Sequence, residues 1–251
     1  MGEDKEFALS TNIFGVASFQ ITQLSIMRIL IVSATPFEIV PLRDYLEHEF
    51  EQKEENIYVR ADLEVQILVT GVGQMLTAFA MGSILSQKEF DLLINAGVAG
   101  AFDRRLQLGA VVQVASEQFG DLGAEEKDGR FLSIHDLKLI DDNEVPFQDG
   151  KLLNTSSTDF DFLPKASGLT VNKVHGNTAS IEQIQEKYNA QIESMEGIAF
   201  FYAALMSETP FLEIRAISNY VEARNRESWA LGLAIDRLNE VLVKMLNSLL
   251  N

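Results

Sequence analysis

Arg28-Ile-Leu-Ile-Val-Ser-Ala34 is apolar and β-branched through its centre, with no polar residue until Ser33. A strand covered on one face alternates polar with apolar residues, whereas one covered on both faces reads as a continuous apolar run. The stretch therefore predicts a strand buried on both sides. Thr35-Pro36 breaks it, and Phe37, Val40, Leu42, Tyr45, Leu46 and Phe50 follow at helical spacing. Residues 92–96, 109–115, 169–175 and 211–218 read as further strands, and 57–60 with 65–70 as a hairpin. Residues 74–87, 180–188, 197–207 and 227–250 read as helices. Such alternation predicts an α/β fold: three layers, α/β/α, around a central mixed, mostly parallel sheet. Residues 117–165 carry several glycines and aspartates with Pro146 and Pro164, and are expected to hold strand fragments or a flap over a site.

The 251 residues, 47% hydrophobic and 23% charged, suit one sizeable domain. A formal net charge of −17 argues against nucleic-acid binding, which needs a basic surface. The absence of cysteine excludes disulfides, thiolate metal sites and cysteine nucleophiles. His48, His135 and His175 lack metal-ligand spacing, so no metal is expected. Residues 1–26 begin with the acidic Met1-Gly-Glu-Asp-Lys-Glu6, unlike a secretory signal, and their apolar part is too interrupted to span a bilayer. They are read as an N-terminal extension, with a single domain over 27–251 and a cytoplasmic location.

In open α/β sheets, ligands sit beyond the carboxyl ends of the strands. Glu38, Thr70-Gly71-Val-Gly73, Gly97-Val-Ala-Gly100, His175-Gly-Asn177 and Ser218-Asn219 all fall there. The glycine pairs are read as turns that let backbone approach a ligand. Neither has the full Gly-x-Gly-x-x-Gly spacing, which disfavours a dinucleotide site. Glu38 reads as a general base or as an ordinary first-turn glutamate. Glu196 in Met195-Glu-Gly197 is a carboxylate among apolar neighbours and needs polar partners, for which ribose hydroxyls are suited. Arg215, inside an apolar strand, needs an anion, and Glu38 is the expected one. Trp229 reads as a packing residue.

Met195-Glu196-Gly197 and Arg215-Ala-Ile-Ser-Asn219, with Glu38 and two glycine turns before them, resemble the nucleoside phosphorylase superfamily over about 27–250. The likeness is nearer to its nucleosidase branch, typified by methylthioadenosine/S-adenosylhomocysteine nucleosidase. The resemblance implies that Glu38 activates water, that Glu196 holds the ribose hydroxyls with Met195 against the sugar, and that Arg215 and Ser218 surround the water and the catalytic carboxylate. Thr70 stands where that branch has serine, and Asn219 where adenine-specific members have aspartate. An amide can accept from purine N7–H and donate to O6 at once, which implies a 6-oxopurine. Ser33 to Glu38 carries no basic residue to bind phosphate, which favours hydrolysis. A 6-oxopurine hydrolase in this branch resembles the futalosine hydrolases, as does the segment 218–229. Arg224 or Arg226 is then expected to pair with the carboxylate on the substrate's ribose extension. The resemblance further implies a homodimer or higher homo-oligomer and no cofactor. A phosphorylase acting on inosine, a methylthioadenosine/S-adenosylhomocysteine nucleosidase and a nucleoside-binding protein without turnover are the alternatives.

Overall fold

The computed structural model describes residues 26–155 and 162–250. The expected extension lies outside the described residues except for Ile26. Strand β1 (Met27–Ser33) is followed by a 3-10 turn (Pro36–Ile39) and α1 (Val40–Glu49). Then come β2 (Glu51–Glu54), β3 (Ile57–Arg60), β4 (Leu63–Val69), α2 (Gln74–Leu85), β5 (Leu92–Ala101) and β6 (Val111–Glu117). The short β7 (Gly123–Glu125), β8 (Phe131–Ser133) and β9 (Leu152–Leu153) precede β10 (Lys165–Thr170), α3 (Thr178–Lys187) and β11 (Ile192–Ser194). The chain closes with α4 (Gly197–Met206), β12 (Phe211–Tyr220), a 3-10 turn (Arg226–Ser228) and α5 (Leu231–Leu249).

The main sheet runs β11-β10-β6-β12-β5-β1-β4-β3-β2, with β9 added to β6. It is parallel from β12 through β5 and β1 to β4, and antiparallel at the β4-β3-β2 edge. β11 also pairs antiparallel with β5, placing Ile192 opposite Ala101 and Glu193 opposite Gly100. That second pairing curls β5, β12, β6, β10 and β11 into a closed ring.

Burial follows the pleat. In β1, Ile29 and Ile31 face the layer of α1 and α5, against Leu42, Leu46, Leu238 and Leu242. Leu30 and Val32 face the other layer, with Met81 of α2 and Phe200, Phe201 and Ala204 of α4. Each such side chain, withdrawn from water, contributes about 1.5–3 kcal/mol before entropy is counted. In α5, Ala234, Ile235, Leu238, Leu242, Met245 and Leu246 keep the 3–4 spacing of one buried face.

The structure moves several expected boundaries. β5 does not stop at Ala96 but continues straight through Gly97 and Gly100 to Ala101. Glycine is suited to both positions because Arg215 at Gly97, and Asn219 with Val221 at Gly100, occupy the space a Cβ would need. β10 ends at Thr170, before most of the predicted 169–175 strand, and α5 begins at Leu231 rather than 227. β2 and β11 carry too few apolar residues to register as strands in the sequence; β11 is three residues long.

Candidate active site

Glu38 lies in the 3-10 turn just beyond β1, because Thr35 and Glu38 form a reciprocal cap around Pro36. Glu38 Oε2 accepts from Thr35 N at 3.0 Å, Thr35 Oγ1 at 2.9 Å and Ser33 Oγ at 3.2 Å. Among the described residues its Oε1 accepts only from Val98 N, at 3.2 Å, which leaves a lone pair. From α5, the buried Asn239 donates to the Glu38 carbonyl at 2.9 Å and accepts from Leu42 N at 3.0 Å. One side chain thus fastens the turn and the start of α1 to the closing helix.

Glu196 immediately precedes α4 and is almost fully buried. Its Oε1 accepts from Gly73 N at 3.0 Å, and its Oε2 lies 3.7 Å from Arg215 Nη1. Gly73 has φ +100°, a conformation that favours glycine, and it directs its amide at this carboxylate from the N-terminus of α2. The Gly71-Val-Gly73 turn therefore presents an amide to a protein carboxylate, with Gly71 also at positive φ. Thr70 turns its hydroxyl to the Gly71 carbonyl at 2.8 Å and to Thr77 Oγ1 at 3.2 Å. Met195 is partly buried beside Glu196.

Arg215 does not make the expected ion pair with Glu38. Its Nε donates to Glu213 Oε1 at 2.7 Å, and Glu196 is its second carboxylate neighbour. Residues two apart on a strand share a face, so Glu213 reaches the guanidinium more directly than the 3-10 turn does. Burial works against the charge on Arg215, but Glu213 and Glu196, with Glu38 beyond them, hold its pKa above the ordinary range. Gly97 leaves the gap in which Arg215 and Glu38 approach: a Cβ there would lie 2.3 Å from Arg215 Nη1 and 3.0 Å from Glu38 Oε1.

Further along the same strands, the β5–β12 register slips at Ser218, so that Asn219 pairs with Gly100. The bulge re-aims the strand end into a cleft lined by Asn219, Tyr220, His175, Glu193, Arg224 and Trp229. Asn219 Oδ1 accepts from Ser218 Oγ at 2.8 Å, and its Nδ2 donates to the Tyr220 carbonyl at 3.0 Å. A carbonyl can only accept, so the amide nitrogen is the group facing Tyr220. One oxygen lone pair and one N–H remain for a ligand. Of the two arginines expected near a substrate carboxylate, Arg224 lines the cleft and stacks over Trp229, whereas Arg226 is exposed on the following turn and does not line it. Trp229, expected only to pack, is a wall of the cleft. A second cleft, of about 710 Å³, lies between the β7–β8 hairpin and α3; of the cleft residues named above only His175 lines it.

Sequence reading missed three buried carboxylates. Glu193 accepts from the backbone N of His175 at 3.0 Å and pairs with Nδ1 of the same residue, fixing that ring at the cleft. Glu117 and Glu213 are fully buried behind Arg215. The spacing Glu213-Ile-Arg215 in an apolar strand was the available signal for one of them. Arg43, the first basic residue after Glu38, points away to Asn56 at 2.7 Å.

Residues 28–250 match the family model described as the phosphorylase superfamily. A futalosine hydrolase of Streptomyces coelicolor is 30% identical over 185 residues, which cover 71% of this chain and 77% of that protein. A 5'-methylthioadenosine/S-adenosylhomocysteine nucleosidase of Maridesulfovibrio salexigens is 28% identical over 212 residues, covering 78% of this chain and 87% of its own. Among solved structures, the futalosine hydrolase of Helicobacter pylori superposes with a TM-score of 0.71 at 14% identity, over 89% of this chain and 98% of its own. The matched span holds the whole described fold together with the Glu38, Glu196, Arg215 and Asn219 constellation, and the chain belongs to the phosphorylase superfamily, within its futalosine hydrolase family.

Proposed function

We propose that this protein hydrolyses the N-glycosidic bond of futalosine, releasing hypoxanthine and dehypoxanthinyl futalosine in the alternative menaquinone pathway. The observation that carries the choice of base is the Asn219 amide, whose orientation is locked by Ser218 and Tyr220. In that orientation its free lone pair suits the N7–H of a departing purine, and its free N–H suits O6. An adenine presents an amino donor at C6 and leaves that N–H unpaired, a mismatch of about 1–3 kcal/mol.

Bond cleavage sends electrons to the purine and leaves an oxocarbenium-like ribose. The departing base takes up a proton at N7 from solvent, balanced by the one removed from the attacking water, and Asn219 accepts a hydrogen bond from that N7–H. Glu196, already held by the Gly73 amide, takes the ribose hydroxyls. Glu38 uses the open lone pair of Oε1 to take a proton from the attacking water. Hydrolysis rather than phosphorolysis is supported by the cations: Arg215 is engaged by Glu213 and Glu196, and Arg43 faces elsewhere. Arg224 is the candidate for the carboxylate on the ribose extension.

The expected assembly is a homodimer in the cytoplasm. Phe37 on the 3-10 turn, Val72 between Gly71 and Gly73, and Met75 and Phe79 in the first half of α2 are exposed, and are the surface a second copy would cover. No helix among the described residues is long and apolar enough to cross a membrane.

Incubation with futalosine, inosine and methylthioadenosine, with and without phosphate, tests the reading by release of free base. Phosphate-independent hypoxanthine release from futalosine is expected. Rapid cleavage of methylthioadenosine with none of futalosine would sink it, phosphate-dependent release from inosine would make the protein a phosphorylase, and tight nucleoside binding with no release would make it a binding protein.

A further inference from the structure

Two carboxyl groups that this reaction does not use converge behind the site. Glu117 ends β6, Glu213 lies in β12, and both are 0% exposed. Two glycines make room for the first: a Cβ at Gly168 of β10 would stand 2.1 Å from Glu117 Oε1, and one at Gly197 of α4 would stand 2.3 Å from it. The Gly197 position is also 2.8 Å from Glu213 Oε1, so the two carboxyls share one small space. Thr170 Oγ1 accepts from Ile198 N at 2.8 Å, which leaves its own proton for Glu117 Oε2, also at 2.8 Å. Glu213 Oε1 takes Arg215 Nε.

Charges cannot balance here with every group ionised. Around the single guanidinium of Arg215 stand Glu213 on its own strand, Glu196 before α4, Glu38 on the 3-10 turn and Glu117 on β6. Glu38 has four donors, Glu196 has the Gly73 amide, and Glu213 has the arginine. Glu117 touches no cation, and its Oε1 has no hydrogen-bond partner among the described residues. Two carboxylates sharing a dry space cannot both stay ionised.

We propose that Glu117 is a neutral carboxylic acid turned toward Glu213, and that this acid–carboxylate pair is a positioning device for Arg215. With Glu117 neutral, Glu213 is the anion that anchors Nε. The guanidinium then rests 3.7 Å from Glu196, short of a close ion pair, and Glu196 stays open to the ribose. Burial foremost, then the neighbouring Glu213, pushes the Glu117 carboxyl well above the usual range, in keeping with this assignment.

The protonation state is read without substrate. Infrared spectra of the full chain at neutral pH should show the carbonyl stretch of a buried carboxylic acid, lost in Glu117→Gln. No such band in the parent, or a band that survives in Glu117→Gln and vanishes in Glu213→Gln, would overturn the proposal. The positioning half rests on the reading of Glu196 as the ribose ligand and is read kinetically. Glu117→Leu should raise KM for the nucleoside about tenfold with a smaller change in kcat, and Glu117→Gln should restore it, since an amide N–H can donate as the acid does. Equal KM values for parent and Glu117→Leu, or equal losses for Leu and Gln, would overturn it. If futalosine is not turned over at all, the infrared result still decides the state of Glu117.

Discussion

Glu38, on the turn after β1, and Glu117, at the end of β6, are both buried glutamates that follow an apolar strand, yet their surroundings are opposite. Glu38 sits on a turn, where unpaired backbone amides are plentiful; it takes the turn's Thr35 amide, the Val98 amide of β5 and two hydroxyls. Glu117 sits at the end of a strand with the Thr170 hydroxyl as its side-chain donor, and the neighbouring charge that acts on it most is another carboxyl, Glu213. The difference teaches that a loop at a strand end supports a charged carboxylate beside water, whereas the sheet interior tolerates a carboxyl best when it is neutral or shares an arginine. Catalytic acids and bases collect at sheet edges for this reason as well as for access.

The sharpest way to break that comparison is to remove charge from the edge. Glu38→Gln should lower kcat by about 10³-fold, within the usual range for a lost general base, while nucleoside binding measured by calorimetry stays within a few-fold. An active Glu38→Gln would remove Glu38 from the role of base and with it the functional half of the contrast. Gly97→Ala comes next. The new Cβ would press on Arg215 Nη1 at 2.3 Å and on Glu38 Oε1 at 3.0 Å, both buried, so neither can step aside into water. A loss of about 10²-fold in kcat/KM is expected, with overpacking costing about 1–3 kcal/mol of stability. Unchanged kinetics would mean that the approach of Arg215 to Glu38 is not required.

Asn219→Asp tests the edge at a smaller scale. The ratio of kcat/KM for 6-oxopurine over 6-aminopurine nucleosides should fall by about tenfold or more, because a carboxylate accepts from both N7–H and the C6 amino group but cannot donate to O6. An unchanged ratio would show that residue 219 does not read the base.

Much of this was legible in the chain. The apolar run at 29–32 and the largely apolar 211–217, broken only by Glu213 and Arg215, carry the α/β architecture together with the helical periods between them, and polar residues directly after those runs mark the ligand edge. What stayed hidden depends on contacts between distant segments. Nothing near Gly97 in sequence announces Arg215, so a glycine that clears space for an arginine reads as a turn. The ring closure through β11 rests on three residues, too short for periodicity to register. Glu117 reads as the polar end of a strand, because its burial is set by Gly168 and Gly197, far along the chain. Arg215 was given the wrong partner because position along the chain shows which residues share an edge but not which reaches first; the i, i+2 rule within a strand would have chosen Glu213.

The smallest expected effect lies outside both regions, at the surface. Asp136 follows β8 and pairs with Lys187 at the end of α3, closing the β7–β8 hairpin against that helix. The lysine, together with the Ser133 amide, lowers the Asp136 carboxyl to about 2. A carboxylate with a depressed folded pKa contributes stability that is present above its unfolded value and lost as pH falls through the folded one. Lys187→Met should therefore lower the melting temperature near neutral pH, and the gap between variant and parent should close as pH falls from about 4 toward 2. Both partners are partly exposed, so the contribution is expected to stay below about 1 kcal/mol. A gap that persists unchanged at pH 2 would assign the effect to the Lys187 ammonium over the Phe131 and Tyr188 rings, which keeps its charge there, rather than to its pairing with Asp136. The partly exposed lysine would then act through the rings beside it, and its contribution, unlike that of the buried carboxylates, would not depend on a titrating partner.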